Sequence, residues 1–397
     1  MDWFLLLEWV IKSIILIFVL LTGFAYLTWY ERKVLARMQV RYGPNRAGPK
    51  GLLQPIADAV KLIFKEELIP DKAERVLFIL APILTVMPAV VITATVPWAR
   101  KIPLDGIGIH YTITPYIADI NVGAIYVTAI ASIAVYGIVL AGWSSNNKYA
   151  MLGGLRSTAQ MVSYELSLGL SLVAVILITG SMNMIQIVEW QNRVLWNFGF
   201  FQIPMWNVFV QPVGMAVFMI ATLAELNRAP FDMPEAEQEL TAGYHTEYSG
   251  MKFALFFMAE YTKMIAISAI AATFFFGGYL GPDITQLPVI GHWPIIELLA
   301  PAMGLLYIFI KILLILFWMI WVRATWPRIR YDRLMSFGWK VMLPLSLLVV
   351  MITAGGIVLG ASYGIVAQWT FTCLVSLLVG FLFTLAIDRA LRRKQYA

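Results

Sequence analysis

The chain has 397 residues, of which 60% are hydrophobic and 13% are charged, and its formal net charge is +6. A soluble domain carries about 25% charged residues, so this composition excludes a soluble globular protein. Apolar runs of about 20 residues recur along the chain and are continuous rather than alternating. That pattern excludes a transmembrane β-barrel and predicts an all-α polytopic membrane protein.

Nine apolar segments are long enough to cross a bilayer, at about 20 residues each. We predict them at residues 4–30, 76–98, 119–142, 158–180, 206–226, 252–276, 295–322, 340–362 and 366–387. The first run has no small-residue cleavage site after it, which indicates a retained span rather than a signal peptide. No internal repeat or linker interrupts the pattern, so a single membrane domain over residues 1–397 is predicted.

The distribution of Lys and Arg predicts the orientation. Connections after odd-numbered spans carry most of these residues, whereas those after even-numbered spans contain only Arg100, Lys101 and Arg193. Positive charge stays on the cytoplasmic side, which places the N-terminus outside and the odd connections inside the cell. The basic tail at Arg389–Lys394 reaches the cytoplasm only if the last apolar stretch forms two spans. A break near Tyr363–Gln368 is therefore predicted.

The first connection, residues 31–75, is long and basic and contains the Gly/Pro-rich turn segment Gly43–Pro49. A helix is predicted after this turn, with Pro55 in its first turn. Its apolar residues recur at i, i+3 and i+4 spacing: Leu52, Leu53, Ile56, Val60, Ile63 and Phe64. This spacing predicts an amphipathic helix that lies in the plane of the cytoplasmic membrane interface.

The connection at residues 225–250 is unusually acidic for a segment at a membrane surface. Together with its flanks, the stretch Ala224–Tyr248 contains Arg228 and six acids: Glu225, Asp232, Glu235, Glu237, Glu239 and Glu247. Charges are costly to desolvate at a bilayer, so a plain connection does not need so many carboxylates. The cluster predicts a segment that collects protons or cations at the membrane edge.

Two further acids lie inside apolar spans. Glu165 and Glu260 lie at similar depths in the fourth and sixth spans, and Glu225 ends the fifth. We interpret the three as a file of carboxylates that leads from the cytoplasmic face toward mid-membrane and transfers protons. The alternative is static ion pairing, for example between Glu260 and Lys263 at i+3. For Lys311, in the middle of the seventh span, a functional role and a structural pair are both open.

The cysteine and histidine content predicts no redox centre in this chain. Cys373 is the only cysteine, and one cysteine holds neither an iron–sulfur cluster nor an internal disulfide. The histidines, His110, His245 and His292, are far apart in sequence, which disfavours a bis-histidine haem site. No metal site and no nucleic-acid partner are predicted.

Four blocks of sequence resemble the family of the H-type membrane subunit of the proton-pumping NADH:quinone oxidoreductase, respiratory complex I. They are ERKVLARMQVRYGPNRAGPKG from Glu31, GWSSNNKYAMLGGLRSTAQMVSYE ending at Glu165, AELNRAPFDMPEAEQELTAGYHTEYSG from Ala224, and FFMAEY ending at Tyr261. The resemblance extends over nearly the full length. The final span at residues 366–387 extends beyond the shortest family members and matches no functional motif.

The resemblance implies a membrane subunit that forms the membrane side of a quinone chamber and couples quinone reduction to proton translocation. It assigns these residues to the quinone: Glu31, Arg32, Arg41, Arg46, Asp58, Arg228 and Asp232. It assigns these to a proton path: Glu165, Glu225, Glu235, Glu237, Glu239 and Glu260. Quinone is then the substrate, and the flavin and iron–sulfur clusters belong to partner subunits. Hydrophilic quinone-module subunits and antiporter-like membrane subunits are the implied partners, in the plasma membrane.

Other functions stay open at this point. The same family builds the membrane anchor of energy-converting hydrogenases, which use no quinone, and the block Glu31–Gly51 argues against that function without excluding it. A ferredoxin-fed relative is a further alternative. A stand-alone ion transporter would need its own gating repeats, which the sequence lacks, and a structural anchor would not need intramembrane acids. The electron donor, the type of quinone and the choice between protons and sodium ions depend on partners.

Overall fold

The computed structural model describes residues 3–103, 112–197, 202–233, 243–282 and 294–395. Its helices are α1 Trp3–Met38, α2 Gln54–Ile63, α3 Arg75–Ile92, α4 Gly123–Ser144, α5 Lys148–Thr179, α6 Met184–Trp190, α7 Asn207–Val210, α8 Pro212–Glu225, α9 Gly250–Phe275, α10 Pro294–Thr325, α11 Tyr331–Phe337, α12 Leu343–Tyr363 and α13 Ile365–Gln395. A π-helical turn, Gly338–Met342, joins α11 to α12 without a break. The all-α class that the sequence predicts is confirmed.

Within the described residues, eight helical segments are long and apolar enough to cross a membrane: α1, α3, α4, α5, α9, α10, α11–α12 and α13. The predicted fifth span, residues 206–226, is instead broken. α7 ends at Val210, and the 14-residue α8 begins at Pro212. Fourteen helical residues extend about 21 Å, which is less than the roughly 30 Å of a bilayer core. This predicted span is therefore a short helix with a break, because Pro212 cannot donate a backbone hydrogen bond into α7.

One prediction about helix ends is wrong and one is confirmed. The first helix continues past the predicted end at residue 30 to Met38, so Glu31 and Arg32 lie on its last turns rather than in a loop. The last apolar stretch divides at Gly364, inside the interval that the sequence predicts. Gly364 has φ +93°, a conformation that favours glycine, and it lets α13 turn back along α12 with a single linking residue.

The connections after the odd-numbered spans meet at one end of the bundle, here called the basic end. The backbone N–H of Glu74 donates to the carbonyl of Ser144 at 3.1 Å, and that of Ile329 donates to Pro230 at 3.1 Å. At the opposite end the connections contain two short antiparallel hairpins, Ile102–Pro103 with Thr112–Ile113 and Val194–Asn197 with Gln202–Pro204.

The core lies between α5, α8, α9 and α10. α5 packs against α4, α8 and α12, while α9 packs against α1, α3 and α10. The largest fully buried side chains of this core include Tyr164, Phe218, Phe274 and Ile308. α1 and α13 expose most of their apolar stretch, as helices facing lipid do. Glu165, Glu225 and Glu260 thus lie on helices at the centre of the bundle.

Candidate functional site

The segment after α8 is held against α5 by one glutamine. Gln160 donates from Nε2 to the carbonyls of Ala224 and Phe231, each at 2.8 Å, and its side chain is fully buried. Between these carbonyls Asn227 has φ +51°, in the left-handed region where asparagine is enriched. The tight turn directs the side chain of Arg228 back into the bundle.

Arg228 joins three elements of the bundle. Its Nη1 and Nη2 donate to the two carboxylate oxygens of Glu31 on α1, at 3.2 and 3.3 Å. Its Nε lies 2.6 Å from Oε1 of Glu260 on α9. Arg323, near the end of α10, also contacts Glu31. Only 3% of Glu31 and 4% of Arg228 are exposed, so these charges depend on one another for compensation.

The protonation of Arg228 follows from these contacts. Burial by itself lowers the pKa of the guanidinium, but the charges of Glu260 and Glu31 outweigh burial and raise that pKa well above its usual range. The side chain is therefore a permanent cation. It can hold and redirect carboxylates, but it cannot release a proton at physiological pH.

Tyr261 connects this cluster to an apolar groove. The guanidinium of Arg228 lies 4.4 Å from the ring centroid of Tyr261, whose hydroxyl hydrogen-bonds with Glu31. On its other side the ring meets Phe257 at 4.7 Å and Phe24 at 6.1 Å between centroids. One residue thus touches both the charged cluster and the groove wall.

The groove itself runs between α1, α2 and α9 and has a volume of about 440 Å³. Its walls are mostly apolar and include Leu21, Phe24, Leu62, Phe253 and Phe257. Three charged residues, Arg32, Asp58 and Lys61, also line it. Arg32 and Asp58 form an ion pair at 2.7 Å that joins α1 to α2. A long apolar tail with a polar head would fit such a lining.

A second buried pair lies deeper. Nζ of Lys263 on α9 lies 2.9 Å from Oε1 of Glu225, the last residue of α8, and both side chains are buried. The i+3 pair between Lys263 and Glu260 that the sequence suggested does not form. Glu260 contacts Arg228 instead, because the two residues of α9 face different neighbours.

Glu165 is partly buried, and the hydroxyl of Ser132 on α4 contacts its carboxylate. Within the described ranges no Lys or Arg lies within ion-pair distance of it, unlike Glu31, Glu225 and Glu260. A proton could therefore enter and leave this carboxylate without a cation having to move away from it.

Two small cavities connect the three intramembrane acids. The first has about 40 Å³ and is lined by Glu225, Glu260, Lys263 and His245, among others. The second has about 20 Å³ and is lined by Glu165 and Glu225. A water molecule needs about 10–15 Å³, so both cavities have room for at least one. Glu225 lines both and thus stands between Glu260 and Glu165.

The remaining predicted residues lie in different places. Asp232 is buried and pairs with Arg328 at 3.1 Å. Arg41 and Arg46 are exposed on the loop between α1 and α2, where Arg41 donates to Gln39 at 2.7 Å. The structure therefore does not bring these two arginines together with Arg228. Three acids of the predicted proton path and two histidines lie outside the described residues: Glu235, Glu237, Glu239, His110 and His292.

Sequence reasoning missed four contributors, Ser132, Tyr261, Arg323 and Arg328, and it gave Lys263 the wrong partner. A usable signal existed for Lys263, a cation inside an apolar span, and for Tyr261, which ends one of the four blocks. In the parts of the chain that the structure describes, no group of three or more His, Cys, Asp or Glu side chains could hold a metal ion.

Comparison with known proteins identifies the family. A family model described as NADH dehydrogenase matches residues 11–354. The NADH-quinone oxidoreductase H subunit of Thermomicrobium roseum is 48% identical over 353 residues, which cover 89% of this chain and 97% of that protein. The protein of the same name in Rhodospirillum rubrum is 50% identical over 88% of this chain and 94% of its own length. A protein of that name in Koribacter versatilis, numbered 2, is 48% identical over 88% and 96%.

Proposed function

This chain belongs to the H-subunit family of NADH-quinone oxidoreductase, as a membrane subunit of that translocating enzyme, and we propose that it forms the membrane side of the quinone-binding chamber. We further propose that it couples quinone reduction to proton translocation. One observation carries the proposal: Tyr261 and Arg228 join the apolar groove to a series of buried carboxylates that continues through Glu225 to Glu165.

The groove between α1, α2 and α9 suits the quinone. Its apolar walls match an isoprenoid tail, and the Arg32–Asp58 pair supplies polar groups for the head as it passes. In this proposal the exposed Arg41 and Arg46 extend the chamber toward the hydrophilic partner subunits. Electrons reach the quinone from an iron–sulfur cluster held by a partner, and this chain contributes positioning and electrostatics.

The coupling step begins at Glu31 and Arg228. Negative charge or proton demand on the reduced quinone alters the balance between Glu31, Glu260 and the guanidinium that they share. Because Arg228 keeps its proton, the response is a change in which carboxylate it neutralises. A proton is then exchanged between Glu260, Glu225 and Glu165 through the two cavities, with Glu235, Glu237 and Glu239 supplying it from the acidic connection.

We propose the orientation that the Lys/Arg distribution predicts. The basic end of the bundle then faces the cytoplasm, the N-terminus lies outside the cell, and the protein is multi-pass in the plasma membrane. The electrons come from hydrophilic quinone-module subunits at this end, and antiporter-like membrane subunits receive the coupling signal.

The test uses the assembled enzyme purified through a C-terminal tag. Glu165→Gln keeps the shape of the side chain and its contact with Ser132 but cannot carry a proton. We expect quinone reduction with the gradient collapsed and proton uptake in liposomes both to fall at least tenfold. The matched control is Glu189→Gln, which removes an exposed carboxylate at the opposite end of the bundle.

Normal pumping by Glu165→Gln would contradict the role given to this residue. The composition of the purified assembly tests the rest of the proposal. Co-purification of a flavin-containing NADH-oxidising subunit and antiporter-like subunits would support the proposal. Co-purification of a nickel–iron hydrogenase pair in their place would mean that the complex uses an electron acceptor other than quinone.

A further inference from the structure

A second groove lies on the other side of α1 from the one assigned to the quinone. It has a volume of about 710 Å³ and runs between the last turns of α1, the following loop and α10. Its lining includes Trp29, Tyr30, Lys33, Arg37, Lys50 and Phe317. Helical geometry separates the two grooves. Leu21, Ala25, Thr28 and Arg32 share one face of α1, whereas Trp29, Lys33 and Arg37 share another.

The lining of this second groove is basic. Lys33, Arg37 and Lys50 all line it, and no acidic residue does among those that the structure describes. Among the ion pairs between described residues, none involves these three cations. They therefore leave an uncompensated positive charge at the basic end of the bundle, close to where the helices leave the membrane.

Trp29 organises the groove. Its indole Nε1 donates to the backbone carbonyl of Lys50 at 3.3 Å, which holds the loop against α1. The ammonium of Lys33 lies 5.8 Å from the centroid of the same ring. Tyr30 and Phe317 provide an aromatic wall. Tryptophan and tyrosine beside lysine and arginine are the usual residues at the level of lipid headgroups.

We propose that this groove binds an anionic phospholipid. Its phosphate lies among Lys33, Arg37 and Lys50, and one acyl chain runs along Tyr30 and Phe317 toward mid-membrane. Charge complementarity selects this occupant, because basic pockets between transmembrane helices on the cytoplasmic side bind anionic headgroups. A quinone has no anionic head, and the polar residues that would receive it, Arg32 and Asp58, line the other groove. A bound lipid would fill the gap between α1 and α10 and steady the helix that carries Glu31.

The experiment uses the whole assembly in nanodiscs of phosphatidylcholine with a trace of photoactivatable lipid. One probe is phosphatidylglycerol with a diazirine in its acyl chain, and the other is phosphatidylcholine with the same tail. After irradiation, mass spectrometry locates the labelled peptides. We expect the anionic probe to label the segments that contain Tyr30 and Phe317, at least tenfold more than the zwitterionic probe does.

The charge-removing variant is Lys33→Gln with Arg37→Gln and Lys50→Gln. Each basic residue near an anionic surface contributes about 1 kcal/mol, so we expect binding of phosphatidylglycerol to weaken about 100-fold. The matched control removes three exposed lysines at the same end, Lys65→Gln, Lys72→Gln and Lys148→Gln, and should label as the wild type does.

Three outcomes would overturn the proposal. Equal labelling by both probes would show that the groove takes any lipid and that its charges select nothing. Equal labelling of the triple variant and its control would show that another feature holds the lipid. A crosslinked partner subunit over the groove, with no lipid label in the wild type, would assign the basic surface to a protein interface. If the triple variant fails to assemble, the comparison of the two probes on the wild type still tests whether the groove selects an anionic headgroup.

Discussion

Lys263 and Glu225 form an ion pair of 2.9 Å between α9 and α8, although the acid nearest to Lys263 in sequence is Glu260. Both side chains are buried, and Glu225 lines the two cavities that separate Glu260 from Glu165. Protonation of Glu225 would weaken this pair, and its deprotonation would restore it. At this pair, the protonation state of Glu225 and the position of the Lys263 ammonium are therefore linked.

Lys263→Met should destabilise the chain and reduce proton uptake. Removing one partner of a buried ion pair costs about 3–5 kcal/mol when the other charge stays. In the double variant Lys263→Met with Glu225→Gln, the unpaired charge is gone, so stability should largely return while proton uptake stays low. Two quantities are measured. One is proton uptake in liposomes, and the other is the temperature at which the detergent-solubilised assembly loses the tagged chain.

Lys263→Arg is the matched control, because it keeps the cation next to Glu225. Proton uptake near the wild-type rate in Lys263→Met would show that the pair is only structural. Failure of the double variant to regain stability would show that the methionine disturbs packing.

Tyr261→Phe should remove the hydrogen bond through which Tyr261 links the groove wall to Glu31 in the charged cluster. The variant keeps the ring contacts with Phe24, Phe257 and the guanidinium of Arg228 but loses the hydroxyl hydrogen bond with Glu31. A hydrogen bond to a charged group contributes about 1.5–3 kcal/mol. We expect quinone reduction to fall about tenfold or more, measured as the apparent KM and the maximal rate with a short-chain quinone.

Phe257→Leu is the comparison variant for this experiment, because it alters the groove wall without removing the hydroxyl. It should raise KM with little change in the maximal rate. An unaltered rate in Tyr261→Phe would place Glu31 outside the coupling step.

His245 should make stability depend on pH in the mildly acidic range. Burial lowers the pKa of this imidazole from 6.5 to about 3, so it is neutral in the folded protein. The unfolded chain binds a proton below about pH 6.5 that the folded chain does not bind. Stability is therefore lost as pH falls from about 6.5 toward 3, by up to about 1.4 kcal/mol per pH unit.

His245→Phe removes this titration and suits the aromatic neighbours Tyr244, Phe253 and Phe256. Between pH 6.5 and 5 the apparent denaturation temperature of the wild type should fall more steeply than that of the variant. Parallel curves would mean that His245 is already protonated in the folded protein.

Lys311 should prove structural. Its ammonium donates to the backbone carbonyls of Phe276 at 2.6 Å and Gly278 at 2.7 Å, and it also contacts that of Leu280. These carbonyls follow the end of α9, where a cation also offsets the helix dipole. Lys311→Met leaves these carbonyls without this donor. Each buried carbonyl that stays unsatisfied lowers the free energy of unfolding by about 1–3 kcal/mol. We expect lower thermal stability but an unchanged ratio of protons moved to quinone reduced.

Lys311→Arg serves as the comparison, since it keeps the charge and several donors. A changed ratio of protons to electrons in Lys311→Met, with assembly intact, would move Lys311 from a structural to a functional role.

The sequence by itself determined the class of protein and most of its helices. Continuous apolar runs can satisfy their backbone groups inside a bilayer only as helices, so composition and run length suffice. The break between the last two helices was also predictable, because Gly364 lies between two apolar runs and the basic tail requires a second crossing. The break inside residues 206–226 was missed, although Pro212 marked it.

Only the tertiary structure decided which charges meet. Lys263 pairs with Glu225 rather than Glu260, and Arg228 joins Glu31 to Glu260, because helix packing brings residues from four segments to one place. Local spacing constrains contacts within one helix but not the rotation or depth of one helix against the next. The buried charges are specified by that packing, since each is stable only where a partner from another element compensates it.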